Sequence, residues 1–125
     1  MKAQELMINN LVKFYDEKYS VVSVFDSGQV EIIRFAIVCI VNLDDVHPIP
    51  LTEEWYNKLN LKSYTIMWLD SESPIDIEFS FVCDQDTMGK PEVWVYYNGT
   101  FLVAVRYLHQ LQNLYFCLTE KELSV

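Results

Sequence analysis

Few residues in this chain are of the types that do chemistry. His47 and His109 are the only histidines, and a nucleophile needs a base of this kind within hydrogen-bond reach. The three cysteines, Cys39, Cys83 and Cys117, are far apart, and each lies in apolar sequence with no histidine beside it. This pattern is typical of reduced thiols in the core of a cytosolic protein. We therefore predict that the protein forms no disulfide and is not an enzyme.

Two acidic segments contain some of the side chains that a metal site needs. Segment 84–89 begins like a calcium-binding loop, but Met88 stands at the third ligand position and Val95 at the position of the closing glutamate. In segment 44–47, two aspartates precede His47, and such neighbours need a distant further ligand to hold a metal. We predict that the first segment is a turn between strands and the second a solvated acidic turn. No metal and no cofactor are expected.

The charge of the chain disfavours nucleic acid as a direct partner. The 18 acidic residues outnumber 9 basic ones, giving a formal net charge of −9, and the resulting field repels phosphate. With 3 glycines in total, the chain also lacks the glycine patterns that bind nucleotides. The same charge would suit an inhibitor that imitates nucleic acid in the basic groove of another protein, which is one alternative function.

The composition is typical of a globular cytoplasmic protein. Hydrophobic residues make up 51% and aromatic residues 14% of the 125 residues, enough for one core without a metal or a disulfide. Glu5, Asn9 and Asn10 interrupt the apolar stretch that a secretion signal needs. The longest apolar run, 35–41, is much shorter than the about 20 residues that span a bilayer. We expect no membrane contact.

The first half of the chain has the pattern of a small antiparallel meander. Its β-branched and aromatic runs are separated by polar turns such as Asp26-Ser27-Gly28, as is typical of short strands. The predicted strands are 11–14, 21–25, 30–33 and 35–41. At this point the meander can be either open or closed into a small barrel-like sheet.

Pro48 and Pro50 mark an internal boundary, which a short helix follows. Thr52 is placed to cap the first turn of this helix, and two glutamates come next, where the helix dipole favours acids. Trp55 and Leu59 are four residues apart and share one face. We predict that this face packs on the sheet.

The second half contains two clear β signals. Strict alternation from Ile75 to Cys83 predicts a strand with one face in the core. The Asn98-Gly99 pair between runs 93–96 and 101–105 predicts a hairpin with a type I′ turn. The first arm of this hairpin is apolar on both faces, so Trp94 needs a cover. We predict that the C-terminal helix supplies it.

The end of the chain has the spacing of an amphipathic helix packed on the sheet. Its apolar stripe consists of Leu108, Leu111, Tyr115 and Leu118. Its polar stripe is predicted to point away from the core and consists of His109, Gln110, Gln112 and Asn113. Thr119 followed by Glu122 has the pattern of a capping box that begins one more short turn.

The outer residues of the hairpin and the polar stripe of the helix make up the candidate interaction surface. It comprises Trp94, Tyr96, His109, Gln110, Gln112 and Asn113. A protein partner of unknown identity is predicted to bind there, and a homodimer that buries the hairpin residues is the alternative. A further alternative is a small-molecule pocket between the meander and the hairpin, lined by Trp55, Trp68 and Trp94.

Two segments, Pro48–Trp55 (PIPLTEEW) and His109–Thr119 (HQLQNLYFCLT), carry a family resemblance. They resemble the signatures of a family of small uncharacterised proteins from gut bacterial genomes and their phages. The opening segment 5–12 is similar too, with Asn9 where relatives have glycine, and asparagine tolerates the left-handed conformation of such a turn. Relatives tend to have a glycine within the segment that corresponds to residues 120–122, whereas this chain has Glu-Lys-Glu there. The resemblance implies a bacterial cytoplasm and an association with mobile elements, but no reaction.

Together these patterns predict a single α+β domain over residues 1–125, with a β half at 1–47 and a βα half at 48–125. The expected fold combines an antiparallel meander, a short helix, a β-hairpin and a C-terminal helix packed on the sheet. The expected function is a non-catalytic interaction or regulatory module, with the acidic inhibitor and the small-molecule binder as alternatives.

Overall fold

The computed structural model of the chain describes residues 5–59, 64–67, 76–119, 122–123 and 125. Its strands are β1 (Leu11–Phe14), β2 (Glu17–Val24), β3 (Gln29–Arg34), β4 (Ile37–Asn42), β5 (Tyr64–Met67), β6 (Asp76–Gln85), β7 (Pro91–Tyr97) and β8 (Thr100–Val105). Its α-helices are α1 (Glu53–Leu59) and α2 (Leu108–Thr119), and a short 3-10 helix covers Leu43–Asp45. The predicted α+β class is confirmed. In the described ranges, neither helix has the length and apolar character needed to cross a bilayer.

The first sheet is a meander in the order β1-β2-β3-β4, and all of its neighbouring strands are antiparallel. Every second side chain of these strands points to a common core, because side chains alternate between the two faces of a sheet. The buried members of this core are Leu6, Val12, Val21, Val30, Ile32 and Val46. Among the described residues no pairing joins β1 to β4, so the sheet is open and the barrel-like alternative is wrong.

Two hairpin turns of the first sheet contain residues that such turns disfavour. Tyr15 and Asp16 join β1 to β2 with φ angles of 49° and 61°, and Phe35 and Ala36 join β3 to β4 with φ angles of 49° and 63°. Two positive φ angles in a two-residue loop define a type I′ turn, which Asn-Gly and similar pairs usually occupy. An aromatic residue is strained there by its Cβ atom.

These two turns also explain why two predicted strands began at the wrong residue. β2 begins at Glu17 rather than at residue 21, and β4 begins at Ile37 rather than at residue 35. Both turns lie at the same end of the meander, since the strands alternate in direction. That end presents Tyr15 and Phe35 to solvent, with 84% and 83% of their surface exposed.

The second sheet is a meander in the order β5-β6-β7-β8. The turn between β7 and β8 has Asn98 at φ 46° and Gly99 at φ 83°, which confirms the predicted type I′ turn. Segment 84–89 ends β6 and forms its turn to β7, with Gly89 at φ 79°. It is therefore a turn between strands, as predicted. β6 covers the predicted strand except for Ile75, which lies outside the described residues.

In the first turn of each α-helix, a backbone N–H that has no partner within the helix donates a hydrogen bond to another group. The Oγ1 atom of Thr52 accepts a hydrogen bond from the N–H of Trp55 at 3.3 Å, which confirms the predicted cap of α1. The N–H of Leu108 donates to the carbonyl oxygen of Ile49 at 2.8 Å. Helix α2 contacts β1 and buries Leu108 and Leu111 completely. The predicted cap at Thr119 lies outside the described side chains.

The chain divides into two compact units. The first unit comprises Met1–Pro50 and Tyr107–Glu122, and the second comprises Leu51–Arg106 and Leu123–Val125. The break follows Pro50, whereas the predicted halves meet between residues 47 and 48, and α2 belongs to the first unit. The prediction that α2 covers Trp94 therefore stays a prediction, as does the single domain.

Candidate interaction surface

The outer face of β7 carries two aromatic side chains. Val93 and Val95 are 1% and 0% exposed, whereas Trp94 and Tyr96 are half-buried on the opposite face. This arrangement follows from the two-residue period of a strand. The predicted pair Trp94 and Tyr96 therefore lies together on one face of the second sheet.

The neighbouring strands extend this pair into a cluster. The strand register places Val82 opposite Trp94, and Phe101 opposite Tyr96. The ring centroid of Phe101 lies 5.8 Å from those of Trp94 and Tyr96, in edge-on geometry that favours aromatic pairs. Phe101 is 53% and Val82 41% exposed. We call Val82, Trp94, Tyr96 and Phe101 the aromatic face.

A polar network fixes one end of the aromatic face. The Nε1–H of Trp94 donates to Oε1 of Glu92 at 2.8 Å. The other oxygen of Glu92 lies 3.4 Å from Nε of Arg106, and Nη2 of Arg106 lies 3.2 Å from Oδ2 of Asp86. Glu92 is buried, and a buried carboxylate needs such partners. The network therefore holds the Trp94 indole in one orientation.

Asp86 links this network to the turn between β6 and β7. Its Oδ1 atom accepts hydrogen bonds from the N–H groups of Met88 and Lys90, at 2.8 and 2.9 Å. The Lys90 N–H makes the largest contribution to lowering the pKa of Asp86, and the Met88 N–H and the charges of Arg106 and Lys90 lower it further against an opposing effect of burial. The carboxylate is therefore ionised at neutral pH and holds the turn by internal hydrogen bonds.

Asp44, Asp45 and His47, the residues considered for a metal site, lie in and just after the short 3-10 helix. His47 pairs through its backbone with Lys13, with N···O distances of 2.9 and 2.8 Å. Within the described ranges, no group of three or more His, Cys, Asp and Glu side chains is placed to hold a metal ion. Asp44 and Asp45 are exposed in the 3-10 helix, as the prediction of a solvated acidic turn requires.

The polar stripe of α2 contains residues that point inward. His109 is 1% and Gln112 9% exposed. The Oε1 atom of Gln112 accepts a hydrogen bond from the N–H of Leu11 at 2.9 Å, and its Nε2 donates to the carbonyl oxygen of Asn9 at 3.3 Å. The prediction that both residues point away from the core is wrong. Gln112 points inward because the backbone before β1 needs hydrogen-bond partners, which its side chain supplies.

Asn113 and Gln110 also make hydrogen bonds within the first unit. Asn113 accepts from the side chain of Asn10 at 2.7 Å and donates to the carbonyl oxygen of Glu5 at 2.9 Å. Gln110 accepts from the N–H of Tyr107 at 3.2 Å, as the third residue of a helix does in a capping box. Of the predicted interaction surface, the two hairpin residues alone lie on the aromatic face.

His109 is buried without a hydrogen bond. Neither Nδ1 nor Nε2 has a partner in the part of the chain that the structure describes. Oε2 of Glu5 lies 3.9 Å from Nε2, beyond hydrogen-bond distance, and the ring stacks on Tyr107 with centroids 6.1 Å apart. Burial lowers the pKa of His109 and the charge of Glu5 opposes this in part. The imidazole is therefore neutral at pH 7.

The three free cysteines differ in exposure. Cys39 and Cys83 are half-buried, whereas Cys117 is exposed, so the predicted core position is wrong for Cys117. Burial raises the pKa of Cys83, and the negative charges of Glu53 and Asp84 raise it further. A thiol with a raised pKa forms little thiolate, which is the reactive species.

Thiol alkylation should follow this order of exposure and pKa. We expect iodoacetamide at pH 8 to modify Cys117 first and Cys83 at least about tenfold more slowly. Peptide mass spectrometry of samples quenched over time gives the rate for each site, and Cys117→Ser should remove the fast phase. Rapid modification of Cys83 in the folded protein would contradict its assigned environment.

Four residues of the site and its network were not singled out from the sequence: Val82, Glu92, Phe101 and Arg106. A signal for Phe101 was present, because a two-residue turn at Asn98-Gly99 fixes the pairing of the two arms. The polar network of Trp94, Glu92, Arg106 and Asp86 could not be predicted from the sequence, because its members come together only when β6, β7 and β8 are in place. The three-tryptophan pocket stays a prediction, because Trp68 lies outside the described residues.

Comparison with known proteins gives no indication of function, so a functional proposal must rest on the geometry of the aromatic face. No protein-family model, no curated protein and no solved structure matches the chain.

Proposed function

We propose that the protein is a non-catalytic interaction module that binds a protein partner through the aromatic face. The observation that carries the proposal is the clustering of Val82, Trp94, Tyr96 and Phe101 on an outer sheet face. Two members, Phe101 and Val82, remain 53% and 41% exposed. Contiguous apolar side chains at the surface are typical of protein-binding sites.

The composition and rigidity of the aromatic face also favour binding. Tryptophan and tyrosine are enriched among the residues that dominate interface energy. The Trp94 indole is already held by Glu92 at 2.8 Å, so binding costs little side-chain entropy there. The exposed Asp84 places an acidic group beside the cluster, whereas the charge of Asp86 is already paired with Arg106. The proposed partner therefore presents apolar side chains with basic residues at the rim.

The proposal includes a cytoplasmic location in bacteria and no turnover of a substrate. The setting rests on the resemblance to small proteins of gut bacteria and their phages. The proposed lack of catalysis is supported by His109, because its imidazole is 1% exposed and is therefore out of reach of a substrate in solvent. Substrate turnover that is lost in His47→Ala would contradict it.

Truncating the exposed ring of the aromatic face should weaken partner binding. We expect Phe101→Ala to reduce the affinity at least about tenfold, the usual effect of removing an interface anchor. The measurement is quantitative affinity capture from host lysate with tagged wild-type and variant protein, followed by titration of the purified partner. Because Phe101 is half exposed, the variant should keep its far-UV circular dichroism spectrum.

A matched variant tests whether the effect is specific. Phe116→Ala removes the same side chain at a site that is 42% exposed on α2, and it should retain the partner. Equal loss in both variants, or no loss in Phe101→Ala, would contradict the proposal. Capture that disappears at about 0.5 M salt would instead favour the acidic inhibitor, because screening weakens binding between exposed charges.

A further inference from the structure

The two edges of the first sheet are treated differently by the chain. The outer edge of β1 is covered, because Lys13 and His47 exchange both backbone hydrogen bonds, at 2.8 and 2.9 Å. β4 forms the other edge, and no further strand pairs with it in the described part of the chain. The first sheet therefore has one edge that can accept another strand.

The backbone groups of β4 that point outward can be assigned. The N–H of Leu43 donates to the carbonyl oxygen of Gly28 at 2.9 Å, which makes the pair Gln29 and Asn42 a non-hydrogen-bonded pair of the ladder. Pairs alternate along an antiparallel ladder, so Ile37, Cys39 and Val41 bond to β3. The backbone N–H and C=O groups at positions 38, 40 and 42 face outward.

The side chains of β4 make this edge unusual. The strand reads Ile-Val-Cys-Ile-Val-Asn and has no charge, no proline and no bulge against β3, although these are the features that normally protect an edge. Ile37, Val38 and Ile40 are 66%, 50% and 58% exposed. A regular, apolar and uncharged edge in a chain of net charge −9 is suited to strand addition.

β8, the corresponding edge of the second sheet, lacks this regularity. Its register with β7 shifts between Val95 and Tyr96, so that Leu102 has no direct partner. Such a bulge twists an edge away from further pairing. The edge strands β4 and β8 therefore differ, and β4 is the one whose regular backbone can pair with another strand.

The charges at the two ends of β4 favour one orientation. Arg34 lies beside the first residue of β4 and pairs with Glu17 at 2.7 Å. Asp44 and Asp45 follow the end of the strand after one intervening residue and are exposed. When two copies of β4 run antiparallel, the acidic end of each lies beside the Arg34 end of the other. A parallel arrangement would place the acidic ends together, which is unfavourable.

We propose that β4 pairs antiparallel with β4 of a second copy, which joins two four-stranded sheets into one across a two-fold axis. In the register that pairs the apolar side chains of β4 only with one another, Val38 of each copy lies opposite Ile40 of the other. Cys39 then lies opposite Cys39 of the second copy in a non-hydrogen-bonded pair, where Cα atoms are about 4.5 Å apart. This interface is independent of the aromatic face.

Sedimentation equilibrium of the untagged protein tests the proposal. We expect a monomer–dimer equilibrium between about 1 μM and about 500 μM, because a single strand pair gives a small interface. Ile40→Lys should weaken the dimer at least about tenfold, since it places two lysines on neighbouring positions of the joined sheet. Val38→Lys should act in the same way, and the circular dichroism spectra of both variants should match the wild type.

The control is Met88→Lys, which makes the same change of charge at a turn residue that is 81% exposed in the second sheet. It should leave the dimer unchanged. A wild-type protein that stays monomeric at the highest concentration would overturn the proposal. A dimer that Ile40→Lys leaves intact would also overturn the proposal. If β4 instead pairs with a strand of a different protein, the purified protein would stay monomeric and affinity capture would retain that protein.

Oxidative cross-linking tests the register. In a Cys83→Ser, Cys117→Ser protein, diamide takes two electrons and two protons from two Cys39 thiols and leaves one disulfide between copies. We expect a covalent dimer on non-reducing gels, because the Cα separation suits a disulfide. It should be absent in the protein that also carries Cys39→Ser. A dimer that does not cross-link would overturn this register.

Discussion

Replacing His109 with leucine is expected to stabilise the protein by about 1–3 kcal/mol at pH 7, the cost of burying polar atoms without hydrogen bonds. The side chain is 1% exposed, and both ring nitrogens lack a partner in the described residues. Leucine fills a similar volume without polar atoms. Urea unfolding of the wild type and His109→Leu measures the change in the free energy of unfolding.

The same substitution should remove a pH dependence. Because the pKa of His109 is lowered in the folded protein, mainly by burial, the unfolded chain binds a proton at His109 more readily. Its contribution to stability is therefore fully present above the unfolded pKa of about 6.5 and is lost as pH falls from there toward the folded pKa. His109→Leu should flatten this part of the stability profile.

The other histidine provides the control. His47 is exposed, and His47→Leu should leave the acid-dependent loss of stability between pH 7 and pH 5 in place. Urea titrations at several pH values over this range give both profiles. Destabilisation by His109→Leu, or an unchanged pH slope, would show that the imidazole has partners that stabilise it in solution.

Removing the side chain of Gln112 is expected to lower the free energy of unfolding by about 2–3 kcal/mol. Its amide bonds to the N–H of Leu11 and the carbonyl oxygen of Asn9, at 2.9 and 3.3 Å, and truncation leaves both backbone groups unpaired. Chemical denaturation of Gln112→Ala measures the loss. Gln112→Glu keeps the acceptor and removes the donor, so it should be intermediate near neutral pH.

Gln110→Ala is the matched control for this prediction. Gln110 is also a glutamine of α2, but it is only half-buried and bonds to the N–H at the start of its own helix at 3.2 Å. Its loss should cost about 1 kcal/mol, as is typical of a helix cap. Equal effects of the two substitutions would mean that Gln112 acts through the helix rather than through the segment before β1.

The elements with strong local signals could be predicted from the sequence. The Asn98-Gly99 turn, the cap at Thr52 and the alternation toward Cys83 each have a local physical cause, and each is present in the structure. Local signals failed at Tyr15 and Phe35, where tertiary context imposes positive φ angles on aromatic residues. The predicted meander was right in kind. The two largest errors in its strand ends lie at these turns, and the other ends differ by at most one residue.

The candidate site was predictable in part for a similar reason. The alternation of apolar side chains along β7 predicts from the sequence alone that Trp94 and Tyr96 share one face. Helical periodicity placed His109 and Gln112 on an outer face, because it assumes that polar side chains prefer water. That assumption fails for Gln112, because its side chain forms hydrogen bonds with the irregular backbone before β1 inside the fold. His109 is buried with no hydrogen-bond partner among the described residues, and no local pattern in the sequence predicts this burial.

The return of α2 to the first unit has a consequence for synthesis on the ribosome. Both sheets are meanders of neighbouring strands, so their pairings can form soon after each strand emerges. The partner of the Leu11 N–H, however, is 101 residues further along the chain. At the usual 5–20 residues per second, the start of β1 waits about 5 to 20 s for Gln112. The first unit is thus begun first but cannot be completed until α2 has been synthesised, and the start of β1 lacks the hydrogen bond to Gln112 for most of translation.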